Sequence, residues 1–186
     1  MKKSIVVFAL LLSSFYGFAQ ETDNDALAIN KKHELRLGVV KLLAGPIFEG
    51  VYEYVPNSNT GYGAALLFNL SGDNSYPEDY SLTPFYRMYF QTKEDYGAKG
   101  FFVEGFTSFF GGTNDDYYDY LSSDGTSQFR EGDNFFDISI GLALGKKWIN
   151  SSGFVFEAKI GAGRNLLNGS EFDALIKGDL YVGYRF

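Results

Sequence analysis

Leu180-Tyr181-Val182-Gly183-Tyr184-Arg185-Phe186, the last seven residues of the sequence, put Leu180, Val182, Tyr184 and Phe186 on one side of an extended chain. Side chains in a strand alternate with period 2, so this spacing predicts a strand with an unbroken apolar face and a second face carrying Arg185. Upstream, the same alternation recurs. Ile138, Ile140, Leu142 and Leu144 alternate with Asp137, Ser139, Gly141, Ala143 and Gly145; Phe154, Phe156, Ala158, Ile160 and Ala162 oppose Glu157, Lys159, Gly161 and Gly163; Tyr86, Met88 and Phe90 oppose Arg87 and Gln91.

Extended over the chain, the pattern predicts eight strands, at about 33–43, 46–55, 61–71, 81–91, 100–111, 135–148, 153–165 and 173–186. The connections differ in kind. Pro56–Asn59, Thr92–Lys99 and Asn150–Gly153 are short, whereas Gly72–Tyr80, Gly112–Asn134 and Asn165–Phe172 are longer or more polar, and Ala44-Gly45-Pro46 is a tight exception. Short turns at one rim and long loops at the other describe an all-β fold: an eight-stranded antiparallel transmembrane β-barrel with up-and-down meander order. Aromatic residues (18 %) and 22 Gly against 4 Pro suit strands and tight internal packing.

The opposite end of the sequence predicts export. Lys2 and Lys3 precede the apolar run Ile5–Leu12, and Gly17-Phe18-Ala19 offers small residues for cleavage, so residues 1–19 read as a signal peptide. Residues 20–32 are polar and aperiodic and read as a flexible periplasmic lead-in to a barrel over 33–186. The chain has no Cys, which removes disulfides and lipidation at cysteine from the reading. Its net charge is −7; cleavage after Ala19 removes two of the 16 bases and none of the 23 acids, leaving about −9. That sign argues against nucleic acid as a partner.

Which face points outward decides the chemistry. The apolar face lacks charge at mid-strand, while the other mixes charges with Gly, Ala and Ser; aromatics such as Tyr52, Tyr54, Trp148, Tyr184 and Phe186 gather near the short-turn rim. With the apolar face outward, Glu34, Arg36, Glu49, Glu53, Arg87, Glu104, Asp137, Lys147, Glu157, Lys159, Lys177, Asp179 and Arg185 fall inside, seven acids and six bases expected to form an interior ion-pair network. Eight strands leave room only for side chains, so a wide pore is not expected. Lys41 breaks the parity, which calls for a β-bulge near Val39-Val40 or for a side chain snorkelling to the rim. Gly141 reads as a tolerant interior position where serine should be mild.

Several segments carry a resemblance. Tyr52-Glu53-Tyr54, Pro84-Phe85-Tyr86-Arg87-Met88-Tyr89-Phe90, Gly100-Phe101-Phe102-Val103-Glu104-Gly105 and Gly161-Ala162-Gly163-Arg164-Asn165-Leu166 resemble a barrel-forming family of unknown function from Gram-negative envelopes, similar in plan to the small OmpA/OmpX/OmpW-like barrels. The resemblance implies an outer-membrane location and outer-membrane lipid as surroundings. It also implies that Leu180, Val182, Tyr184 and Phe186 act as the signal read by the barrel-assembly machinery. It supplies no activity.

The residues themselves point away from catalysis. Barrel enzymes that modify lipid A use a His with Ser or acidic partners near the outer rim, whereas the only His here, His33, starts the first strand. The segment Asn114–Asp133 carries five Asp, one Glu and one Arg without the spacing of a calcium loop. Its aromatics Tyr117, Tyr118, Tyr120 and Phe129 favour contact with a surface protein or glycan at loop 112–134. The expected function is a non-enzymatic outer-membrane barrel for envelope structure or surface contact, with no cofactor. The alternatives are a narrow transport or small-ligand-binding barrel, and a soluble exported barrel that binds an apolar ligand inside.

Overall fold

The computed structural model describes residues 31–71, 76–90, 98–114, 117–120, 127–130, 132–167, 169–170 and 172–186. The leader 1–19 and lead-in residues 20–30 lie outside them. Lys31 and Lys32, read as part of a flexible lead-in, are tied down: Lys31 Nζ donates to the Tyr184 hydroxyl at 3.1 Å, and Lys32 O accepts Val55 N at 2.8 Å.

Among the described residues, ten strands and one short helix run in the order β1 (His33–Gly38), α1 (Val40–Ala44), β2 (Ile47–Tyr54), β3 (Thr60–Asn69), β4 (Tyr80–Phe90), β5 (Gly100–Thr113), β6 (Tyr117–Tyr120), β7 (Ser127–Arg130), β8 (Asn134–Ile149), β9 (Phe154–Asn165) and β10 (Ala174–Arg185). Eight of the strands close an antiparallel barrel in the order β1-β10-β9-β8-β5-β4-β3-β2, an up-and-down meander. Strands β6 and β7 form a separate two-stranded ribbon inside the long loop, from Tyr117↔Arg130 to Tyr120↔Ser127. The sequence reading left that loop without strands. Its aromatic and acidic side chains from Asp115 to Glu131 lie outside the described residues.

Closure is made at the first and last strands. Glu34↔Arg185 through Gly38↔Tyr181 are paired, and beyond them His33 and Phe186 exchange backbone bonds of 3.1 and 2.8 Å. At the short-turn rim Gly153 adopts φ +97°, a left-handed conformation that costs glycine little, and Asn150 Oδ1 accepts Phe154 N at 2.8 Å.

The first strand is shorter than its pattern suggests. It ends at Gly38, not at residue 43, and Val40–Ala44 turns into α1, so neither a bulge nor rim snorkelling accounts for Lys41. The helix turns Lys41 inward to pair with Glu49, while Val40, Leu43 and Ala44 stay exposed. Gly38 fits this turn because the Asp179 carboxylate crosses over it; a Cβ there would lie 2.6 Å from Asp179 Oδ2.

The two faces of the wall differ in kind. Outward are Leu66, Leu82, Leu142, Ile160, Ile176 and Leu180 at mid-wall, with Tyr62, Tyr86, Phe90, Phe101, Trp148, Phe154 and Tyr184 toward the short-turn rim and Phe48, Phe68, Tyr80 and Phe136 toward the long-loop rim. Inside, layers alternate: Val55, Tyr89, Ala98 and Phe102; then charges; then Val51, Ala65, Phe85, Phe106, Ala143 and Tyr181; and near the long loops Phe110, Phe135 and Leu175 against Phe172.

Candidate functional site

All thirteen residues assigned to the interior are buried, at 9 % exposure or less. Nine of them join one network. Arg87 on β4 is its centre: Nε donates to Glu104, Nη1 to Glu53 at 2.9 Å, and Nη1 and Nη2 to the two Glu157 oxygens at 2.8 and 2.9 Å. Its guanidinium lies between the Phe85 and Phe102 rings, 4.5 and 4.3 Å from their centroids. Arg36 reaches Glu34 at 3.0 Å and Glu53 and Glu157 at 2.6 Å each. Lys147 bridges Glu34 and Glu53 at 2.8 and 2.9 Å, Lys159 holds Glu104 at 3.0 Å, and Arg185 pairs with Glu34. The Tyr89 hydroxyl donates to Glu53.

Alternation on each strand aims these groups inward, and small residues on facing strands make room for them. A Cβ at Gly61 would fall 2.1 Å from Glu53 Oε1, and one at Gly183 would fall 2.6 Å from Arg36 Cγ. The guanidiniums suit a dry, crowded interior because each offers a planar fork to several carboxylates at once. Five bases and four acids make up the network. Such a cluster is stable when its members satisfy one another, since a lone charge in this position would be costly.

The other four predicted members do different work. Glu49 pairs with Lys41 and accepts the Tyr181 hydroxyl at 3.1 Å. Lys177 pairs with Glu78 and donates to Ser81 Oγ at 3.1 Å. Asp137 and Asp179, read as ion-pair partners, accept backbone amides instead. Asp137 takes Leu167 N at 2.9 Å, Gly169 N at 3.1 Å and the Ser170 hydroxyl at 3.1 Å, which folds the β9–β10 loop onto the barrel end. Asp179 takes Val40 N at 2.7 Å and Lys41 N at 3.3 Å, capping α1. Both sit near the long loops, where irregular backbone leaves amides that need acceptors.

Sequence reasoning missed Glu78, Lys41 and Tyr89 as interior partners. Glu78 and Lys41 lie outside strands, where period 2 says nothing. Tyr89 was legible, two residues from Arg87 and on the same face. Gly141 was misread: a Cβ there would lie 2.4 Å from both the Phe106 ring and Ala162 O, so it is a steric necessity and not a tolerant site.

His33 faces outward at the short-turn rim, its Nδ1 sharing a 2.8 Å hydrogen bond with the Tyr52 hydroxyl and its ring stacked near Tyr52 and Phe186. Among the described residues no group of three or more His, Asp and Glu side chains is arranged to hold a metal ion. The lumen network is thus a set of opposed, mutually paired charges lying between the apolar layer at the short-turn rim and that of Val51, Phe85 and Tyr181. Comparison with protein-family models, with curated proteins and with solved structures finds no match to this chain.

Proposed function

We propose that this protein is a non-enzymatic outer-membrane β-barrel, a sealed scaffold that holds its long loops at the cell surface for envelope structure or surface contact. One observation carries the reading: the barrel is inverted, with nine mutually paired charges inside and large apolar side chains outside. A water-soluble barrel of this size would expose far more apolar surface than soluble monomers tolerate. Ten residue steps separate Tyr80 from Phe90 on β4 and twelve separate Phe136 from Trp148 on β8. At about 3.4 Å per residue and a tilt of about 40°, these girdles stand roughly 26–31 Å apart, comparable with a hydrocarbon core of about 30 Å.

The leader read at residues 1–19 and the terminal face Leu180, Val182, Tyr184 and Phe186 support export and delivery to the barrel-assembly machinery. The proposed orientation puts termini and short turns in the periplasm and the 112–134 loop, with its prospective protein or glycan partner, outside. The filled lumen supports a scaffold over a conducting pore.

Trp148 tests the placement, because it is the only Trp in the chain and is 43 % exposed on the outward face. In vesicles, lipids brominated near the headgroup should quench its fluorescence strongly, while aqueous acrylamide should quench it weakly. The folded protein should also run faster on gels unheated than boiled. Strong acrylamide quenching, with recovery as a soluble periplasmic species, would overturn the proposal.

A further inference from the structure

The outward face of the eight barrel strands holds no carboxylate and two Lys or Arg side chains, Lys146 on β8 and Arg164 on β9. Their settings differ. Arg164 lies toward the long loops and shares a hollow with Asp173. Lys146 lies toward the short turns, and among the described residues no carboxylate pairs with it. Every inward cation of these strands, by contrast, has a carboxylate partner. The Lys146 ammonium sits over the Phe101 ring at 4.8 Å and the Trp148 ring at 5.1 Å. Phe101 is its register partner on β5, and Trp148 is the next outward residue toward the rim. The side chain therefore bends its charged head away from mid-wall while its stem covers apolar surface.

Beside Lys146 the wall is grooved. An open groove of about 960 Å³ runs along the outside, from β5 across β8 and β9 to β10. The register of the strands sets its relief. Phe101, Lys146, Ala158 and Leu180 stand in one row across these four strands, and Val103, Leu144, Ile160 and Gly178 stand in the next row toward the long loops. Ala158 and Gly178 are the small members, so they floor a trough that starts at Lys146. Leu144, Ile160 and Leu180 rise beside it and are exposed. Apart from Lys146, both rows are apolar. One cation at the rim with an apolar trough leading away from it matches the division of a lipid into head and tail.

We propose that Lys146, framed by Phe101 and Trp148, holds the phosphate of an anionic phospholipid of the periplasmic leaflet, with an acyl chain of that lipid in the trough over Ala158 and Gly178. The occupant follows from charge and from height in the wall. A cation at headgroup level with no acid of its own attracts an anionic head. A zwitterionic head brings its own ammonium and offers no net charge in return. The rest of the chain works against such a lipid, because the mature protein carries about −9 overall, so a preference for it has to come from a local cation. The short-turn rim is the periplasmic one in the membrane reading above, and the inference rests on that reading.

The test is a titration of the folded protein in zwitterionic detergent micelles with phosphatidylglycerol, and in parallel with phosphatidylcholine of the same chains, followed by backbone amide NMR. Phosphatidylglycerol should shift the amides of Lys146, Ala158 and Gly178 saturably, and phosphatidylcholine should bind at least about three-fold more weakly. Lys146→Gln should bind the two lipids equally, and Lys146→Arg should keep the preference. Ala158→Leu, which raises the floor of the trough, should weaken both lipids at least about three-fold with the charge still in place. Arg164→Gln, on the same wall, should change neither affinity. Equal binding of the two lipids by the wild type, a preference that survives Lys146→Gln, or shifts spread evenly over the outward residues of β2 and β3 would overturn the site; an unchanged affinity in Ala158→Leu would overturn the trough. If a variant fails to fold, the location and lipid preference of the wild-type shifts decide the matter. Quenching of Trp148 in vesicles separates the two readings: a protein that is inserted and yet shows no preference refutes the lipid site and leaves the membrane reading standing.

Discussion

Arg87→Ala removes a side chain that touches three carboxylates at once and is the most fully hydrogen-bonded cation of the lumen. The substitution deletes bonds to Glu53, Glu104 and Glu157 in a region with no exposure to solvent. Breaking a buried pair costs on the order of 3–5 kcal/mol, because the remaining charge stays dehydrated. Two features of the site bear on where the loss falls in that range. Glu53 keeps Arg36 and Lys147, Glu157 keeps Arg36, and Glu104 keeps Lys159, so no carboxylate is left wholly alone. Against that, the guanidinium also fills the space between Phe85 and Phe102, and its removal opens a void there. About 3–5 kcal/mol is therefore the expected loss, read from reversible urea unfolding in vesicles. A cycle with Glu104→Ala should show coupling of roughly 1–3 kcal/mol, since the two side chains are in direct contact. The outward Lys146→Ala, at the aromatic rim beside Phe101 and Trp148, should cost far less. A loss below about 1 kcal/mol for Arg87→Ala, or a larger loss for Lys146→Ala, would refute the idea that the lumen charges hold the barrel together.

Leu142→Arg sets a charge on the mid-wall outward face and should destabilise by about 2–4 kcal/mol in lipid, whereas Ser139→Ala, whose buried hydroxyl has no hydrogen-bond partner among the described residues, should be nearly neutral; unfolding of both in the same vesicles checks the ranking. Gly141→Ser should cost about 1–3 kcal/mol through its clash with Phe106, seen as a lowered unfolding midpoint, and an unchanged midpoint would contradict the packing there. Asp137→Ala should release the 167–170 turn, so limited proteolysis should cut that loop faster while the unfolding midpoint moves little. Deleting Phe186 removes the backbone bonds to His33 and should slow appearance of the heat-modifiable form; planar-bilayer conductance of the wild type should stay near background, and a large steady conductance would argue against a filled lumen.

Period 2 made the barrel legible. Alternation is a property of each strand alone, so residues such as Ile138 to Leu144, or Leu180 to Phe186, report their two faces without knowledge of any neighbour, and turn composition separates one strand from the next. Eight strands, their antiparallel order and the inward parity of residues such as Glu53, Arg87 and Glu157 were accessible in that way. Partnership was not. Arg87 meets Glu157 across the lumen, 70 residues away, because the register of the strands brings them to one level, and nothing local to either residue encodes that level. The same limit hid the roles of Asp137 and Asp179, whose parity is that of their ion-paired neighbours but whose height in the barrel puts them beside unpaired loop amides. Glu78 and Lys41 lay outside any strand, where alternation carries no information. The α1 turn has the same origin: β1 gives out at Gly38 while β10 continues, and only when the two are set side by side does the unpaired edge beside the helix exist.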